Sequence, residues 1–459
     1  MNLDDLQWQI SNYGGVPPRV ARLLVERAHL DAAVRAAVER GEWWCAREAV
    51  RVLRARGHYA RARSVVEPFA AVGSAWARDL VAEILIEEGQ VDEGLELAYP
   101  GDPGRVSDHA CRDYAELLVK AGRVDEAISV LAPRLREGWI AGELVKMTKG
   151  QGRDEQILAL LEPLAAEARY NAIHRTGDFS LCFVQELLAT VLERTGRADE
   201  AIRTLGADIT TDHFKSQSTL TYYARLLARH DRLDELRTLA TGDDANTLLD
   251  IYADALRDRG RPREAEELVR KFIATTDYIG HRAYLSMVLL KDGRLDDAID
   301  IAAPAFGDYD CSNLLAPLIQ VLEGRPEDLL HLLDHPAARA QENHPEFRSW
   351  WRPTALARLG RYEEAIDLLN QAPPVWWTDP DTMPAHLLNL AGHTDRAIDH
   401  LRTLTSIEAR EDLGELLIEQ GRPDEGLAVY PTAAEQRAAR EARETTPLGD
   451  NGYSLEPPF

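Results

Sequence analysis

An all-α fold built by repetition is what this 459-residue sequence predicts, on three observations. One six-residue phrase recurs along most of the chain at intervals near 34 residues. The apolar periodicity is helical throughout, without the Val/Ile/Thr alternation that strands require. The chain also exceeds the roughly 250–300 residues at which a single core stops growing, so its length counts units rather than cores.

The phrase reads GQVDEG from Gly89, GRVDEA from Gly122, GRADEA from Gly196, GRPREA from Gly260 and GRLDDA from Gly293. It continues as GRPEDL from Gly324, GRYEEA from Gly360, GHTDRA from Gly392 and GRPDEG from Gly421. DRLDEL from Asp231 fits with Asp in place of Gly, GHYARA from Gly57 is a weaker copy, and GRDEQI from Gly152 is one residue short. From residue 89 the steps are 33, 30, 44, 35, 29, 33, 31, 36, 32 and 29 residues.

Each position has a mechanical reason. The Gly takes the left-handed conformation that ends a first helix. The acid three residues later falls at the start of a second helix, where it is expected to accept orphan N–H groups and meet the positive dipole end. Ala or Gly five residues after the turn (Gly94, Ala127, Ala201, Ala265, Ala298, Ala365, Ala397, Gly426) lets the paired helices approach. A second small residue precedes the turn by seven positions (Ala82, Ala115, Ala189, Ala224, Ala253, Ser286, Ala385, Gly414).

With that order of residues, DYAELLVKAGRVDEAISVLAPRL (113–135) resembles the unit of the tetratricopeptide-repeat family. The likeness runs over roughly residues 75–430 and implies a right-handed α-solenoid. Pro317 and Pro353 stand where a small helical residue is expected, so the units around 312–360 should be bent or restarted. Residues 1–66 are expected to form an N-terminal helical cap and 67–430 the repeat array. Residues 431–459 should be a short helix and a Pro/Gly-rich tail whose composition predicts disorder.

Composition narrows the function. There are 53 Lys plus Arg against 77 Asp plus Glu, a formal net charge of −24, which argues against nucleic acid. Residues 1–63 run the other way, with 11 Arg and 7 acids. They read as solvated helix faces or, more sharply, as a docking surface for an acidic partner. Only six of the basic residues are Lys, which with abundant Ala points to a GC-rich bacterial genome. Cys45, Cys111, Cys182 and Cys311 are scattered, as suits a reducing cytoplasm. The start lacks a signal-peptide apolar core, and no run of about eighteen apolar residues exists to span a bilayer.

Nothing in the sequence demands chemistry, and no cofactor is expected. The acid pairs recur once per turn, which capping explains. No phosphate loop, H-E-x-x-H or G-x-S-x-G occurs. His331 and His335 lie four apart, with Glu342 and His344 beyond a turn, and make the one metal-like grouping. Pro336 ends the helix beside it, and ordinary surface histidines are the plainer reading. The Trp doublets 43/44, 350/351 and 376/377 can each pack one ring and present the other.

The family resemblance implies that first helices line a concave surface. Its register places Trp76, Asp79, Glu83, His109, Arg112 and Glu116 there, then Arg225, Arg229, Asp250, Asp254 and Arg257. It also places Met287, Leu314, Leu318, Phe347, Trp350, Thr354, Arg358, His386 and Asn389 there. The last set reads as an apolar strip beside polar hooks, suited to a partner helix or extended peptide. The Lys-x-x-x-Asn clamp of some family members is missing. The expected function is a cytoplasmic scaffold for a protein or peptide partner. A receptor whose groove takes a small peptide or ligand is the alternative, and a metal-dependent enzyme using His331, His335 and His344 the third.

Overall fold

The computed structural model describes residues 2–12, 15–101, 105–174, 181, 183–210, 215–307, 314–340, 350–371 and 381–444. Every regular element among them is helical, as the periodicity predicts. The chain divides into two compact units, one Pro100–Asn343, the other Met1–Tyr99 together with His344–Phe459.

Within the first of these, the pair Asp108–Lys120 and Val124–Leu131 shows how a repeat is made. Ser107 caps the first helix, its hydroxyl accepting the Ala110 N–H at 3.3 Å. Gly122 ends the helix with φ +75°, and the Arg123 N–H turns back to the Leu118 carbonyl at 2.8 Å. Asp231 does the same at φ +56°, a conformation that Asp tolerates better than most side chains. The clipped phrase at Gly152 opens Asp154–His174, a helix of 21 residues.

The acids of the phrase work differently from the expectation. No N-cap side chain satisfies the start of these second helices. The carboxylates lie in the first turn, favoured there by the helix dipole. The second acid also folds back onto the N-cap Arg. Glu200 on Arg197, Glu264 on Arg261, Glu364 on Arg361 and Glu425 on Arg422 each accept two N–H donors at 2.6 to 2.9 Å. The same Arg reaches the neighbouring turn in places: Arg232 to Asp199 at 3.2 Å, Arg294 to Glu266 at 2.7 Å.

Helix pairing rests on the small residues. Ala127, Ala201, Ala298, Ala365 and Ala397 are wholly buried, as are Ala82, Ala115, Ala224 and Ala253 on the first helices. Where both positions are tightest, even a methyl is too large: a Cβ on Gly94 would meet the Ala82 carbonyl oxygen at 2.8 Å, and one on Gly426 the Gly414 carbonyl oxygen at 2.7 Å. Pro317 stands where its helix restarts rather than bends. It lies in the first turn, where no intrahelical N–H bond is lost, and its helix shrinks to Leu315–Leu322; Pro353 is second in Arg352–Arg358, directly after Trp350 and Trp351, which are themselves helical.

In the second unit, segments distant in sequence pack together. Helix Pro18–Glu26 lies against Ile407–Glu419, and Leu30–Arg40 against Pro423–Ala428. Ile418, Leu427 and Tyr430 share one apolar core with Val20, Ala21 and Leu24. Arg19 pairs with Glu411 at 2.7 Å and Glu415 at 2.5 Å, Arg27 with Glu419 at 2.9 Å, and Arg35 with Asp424 at 2.5 Å. Arg40 donates to the Leu427 and Tyr430 carbonyls at 2.5 and 2.7 Å. The basic N-terminal segment thus meets its acidic counterpart in its own chain. Beside this join, Trp43 is buried against Phe69, while half-buried Trp44 donates to the Gln9 carbonyl at 3.3 Å.

Glu42, beside the join, is a deeply buried acid, 1% exposed, accepting the Val16 N–H at 3.0 Å with Arg40 3.4 Å away. Burial pushes its carboxyl up to about 7. The folded protein therefore holds a proton that the unfolded chain releases near pH 4.5, and stability should fall as pH rises from there to about 7. Glu42→Gln should melt above the wild type at pH 8 and converge with it near pH 5, as thermal unfolding at both pH values will show. Ala127→Leu, Ala201→Leu or Ala298→Leu should each cost about 1–3 kcal/mol by overpacking. Ala166→Leu, on an exposed helical face, should be nearly neutral, and chemical denaturation separates the two outcomes.

Candidate partner-binding surfaces

In the unit Pro100–Asn343, the positions assigned to a concave face carry polar rungs from one first helix to the next. Arg229 grips Glu193 through two bonds of 2.8 and 2.7 Å, His230 shares that carboxylate at 2.9 Å, and the guanidinium lies 6.0 Å from the Tyr222 ring centre. The Tyr222 and Thr190 hydroxyls lie 2.8 Å apart. Asp254 accepts the Tyr284 hydroxyl at 2.7 Å, and burial, with this bond, raises the phenol above its usual range. Arg257 reaches Asp292 at 2.9 Å. Arg225 is exposed and makes no ion pair among the described residues.

Toward the start of this unit, His109 lies against Trp139 with ring centres 4.6 Å apart and planes tilted by 31°. Arg112 stands between Asp113 at 2.8 Å and Glu116 at 3.4 Å. Asp250 lies 3.7 Å from His281, too far for a hydrogen bond. His281 is wholly buried between the Phe272 and Tyr278 rings.

The apolar strip does not form as expected here. Leu314 and Leu318 are 7% and 1% exposed and belong to the core. The cause is the late restart at Leu315: the shortened helix no longer keeps the register carried over from a full-length one. Met287 remains half-buried.

The other unit holds Trp350, Arg358, His386 and Asn389; Phe347 lies outside the described residues. Half-buried Trp350 stacks on His386, ring centres 5.2 Å apart and planes 14° from parallel. His386 and Asn389 line a cleft of about 150 Å³ with Asp412, Glu415 and Glu419 from helix Ile407–Glu419. Burial, helped by the Arg358 charge, lowers the His386 pKa and favours the neutral ring; burial raises Glu415. Asn389 accepts the Thr394 hydroxyl at 2.9 Å, which fixes its amide. Thr354, on the Trp350 side, is buried with its hydroxyl unbonded among the described residues. Trp76, assigned to the same kind of surface, is 57% exposed.

Glu193, Tyr284 and the cleft acids went unread in the sequence. Glu193 and Arg229 are 36 residues apart and Asp254 and Tyr284 are 30 apart, about one repeat in each case, so reading columns across repeats would have paired them.

The two described histidines of the metal-like grouping face different partners. His331 pairs with Asp296 at 2.6 Å, while the His335 ring accepts the Ala337 N–H at 3.3 Å. His344 and Glu342 lie outside the described residues. Among the described residues no group of three or more His, Cys, Asp or Glu could hold a metal ion, and no helix is long and apolar enough to cross a membrane.

The tetratricopeptide-repeat family model matches residues 249–271 and 407–430, each reaching over both helices of a pair. Among solved structures, the chain is similar to the Naa15/Naa10 complex bound to HypK-THB, at 14% identity and TM-score 0.36, covering 86% of this chain and 70% of that one. It is also similar to the pentatricopeptide repeat protein PPR10 from maize, at 17% identity and TM-score 0.29, covering 96% and 73%. Yeast Tom70 matches at 13% identity and TM-score 0.26, covering 87% and 94%. No curated protein matches the chain. Its paired helices, turned on the recurrent phrase, make the chain a helical repeat protein, tetratricopeptide-like at the two places that the family model matches.

Proposed function

We propose that this chain is a non-enzymatic scaffold that holds a protein or peptide partner on the first helices of its repeats. The observation that carries this reading is the Trp350–His386 stack beside the cleft of Asp412, Glu415 and Glu419. A large aromatic held in place by a neighbouring ring can bind at little entropic cost, and Trp is the residue most enriched where binding energy concentrates. The hydrogen-bonded rungs around Arg229 and Asp254 support the same reading in the other unit, because their polar groups are already oriented before a partner arrives. Arg225, exposed beside them, adds a cationic contact.

Trp350→Ala tests the reading. Binding to the partner recovered from lysate should weaken by about 2 kcal/mol or more. The melting curve should change little, because a fully core Trp would instead cost about 3–5 kcal/mol of folding. A well-folded variant that retains its partner removes Trp350 from the surface and leaves Arg225 and Arg229 as the next positions to substitute.

A further inference from the structure

The join between the N-terminal helices and the C-terminal repeat differs from the contact between successive repeats. Its two sides are separated by some 390 residues, so no short loop ties them together. Among the described residues, Ile418, Leu427 and Tyr430, with partly buried Val429, carry the C-terminal side into the apolar core of the N-terminal helices. Most of the directional contact is charge: Arg19, Arg27 and Arg35 on Glu411, Glu415, Glu419 and Asp424. These guanidinium side chains are 47% to 56% exposed, open to screening by salt. A second clasp lies nearby, where Arg437 and Arg440 donate to the buried Asp5 at 2.5 and 2.8 Å.

We propose that this join is an electrostatic latch: the helices Pro18–Glu26 and Leu30–Arg40 detach from Ile407–Glu419 and Pro423–Ala428 as a unit while the helix pairs on either side stay folded. The distribution of charge supports it. The arginines that close the latch belong to residues 1–63, which hold 11 Arg against 7 acids, and their partners belong to the remainder, which is net acidic. Each exposed pair is individually weak, so the latch holds by their number and yields to screening. Opening uncovers Val20 and Leu24 on one face and Ile418 and Leu427 on the other.

Hydrogen exchange of the full chain, read by mass spectrometry, tests the proposal without altering the protein. Peptides from 18–40 and 407–430 should exchange several-fold faster in 1 M than in 0.15 M NaCl, while the 245–258 helix stays unchanged as an internal reference. Exchange at the join that is independent of salt overturns the proposal. The triple variant Arg19→Glu, Arg27→Glu, Arg35→Glu should raise exchange at the join about tenfold at 0.15 M, as the loss of three modest pairs implies. Adding Glu411→Arg, Glu419→Arg and Asp424→Arg should restore protection, and failure to restore it also overturns the latch. Should the triple variant exchange fast everywhere, including 245–258, it has unfolded, and the salt series on the wild type decides.

Discussion

The distance at which two helices of a repeat can pass one another sets most of this structure. Where the helices come closest, at Gly94 against Ala82 and Gly426 against Gly414, there is no room for a methyl group, and at Ala127, Ala201, Ala298, Ala365 and Ala397 a single buried methyl occupies the same position. Close passage brings Leu and Ile side chains of both helices into one layer, as at Leu118, Ile128 and Leu131. The turn follows from the same condition. A chain that must reverse within a few residues and return at contact distance needs a left-handed residue there, and Gly122 and Asp231 supply it.

Arginine then does for successive repeats what alanine does within them. Arg194 donates to the Val145 carbonyl at 2.6 Å and Arg259 to the Ala228 carbonyl at 2.6 Å, each satisfying an acceptor near the end of a first helix in the preceding repeat. Arg40 makes the same kind of bond across the join, to Leu427. A planar fork with five donors can hold a carbonyl and a carboxylate together, as Arg259 does with Ala228 and Asp231; an ammonium is a poorer fit to that geometry. The scarcity of lysine therefore has a structural use, beyond what codon usage suggests.

What could be read from the sequence follows the range of each interaction. Turns, helix pairs and buried alanines depend on residues within about one repeat of each other, and all of them were legible. The i,i+3 bond from Arg197 to Glu200 was equally local but was masked by the simpler expectation of an N-cap. The surface was harder. Leu314 and Leu318 looked exposed only while a full-length first helix was assumed, and one proline in its opening turn changed that register. Trp350 and His386 were each placed on the surface individually, but their stacking depends on how two helices sit, which no spacing rule specifies. The meeting of Arg19 with Glu411 lay furthest out of reach, since only the charge imbalance of the first 63 residues hinted that an acidic counterpart existed.

That pairing has a consequence for how the chain is made. Helices Pro18–Glu26 and Leu30–Arg40 leave the ribosome well before Ile407–Glu419 is translated. At about 5–20 residues per second the wait is roughly 20–80 seconds. Throughout it, Val20, Leu24 and the unpaired arginines lack the C-terminal side of their surroundings, while the repeats that follow can already pair and stack. Helices made early are thus among the last to have their surroundings completed, and a chain that stops short of residues 407–430 never supplies their acidic neighbour.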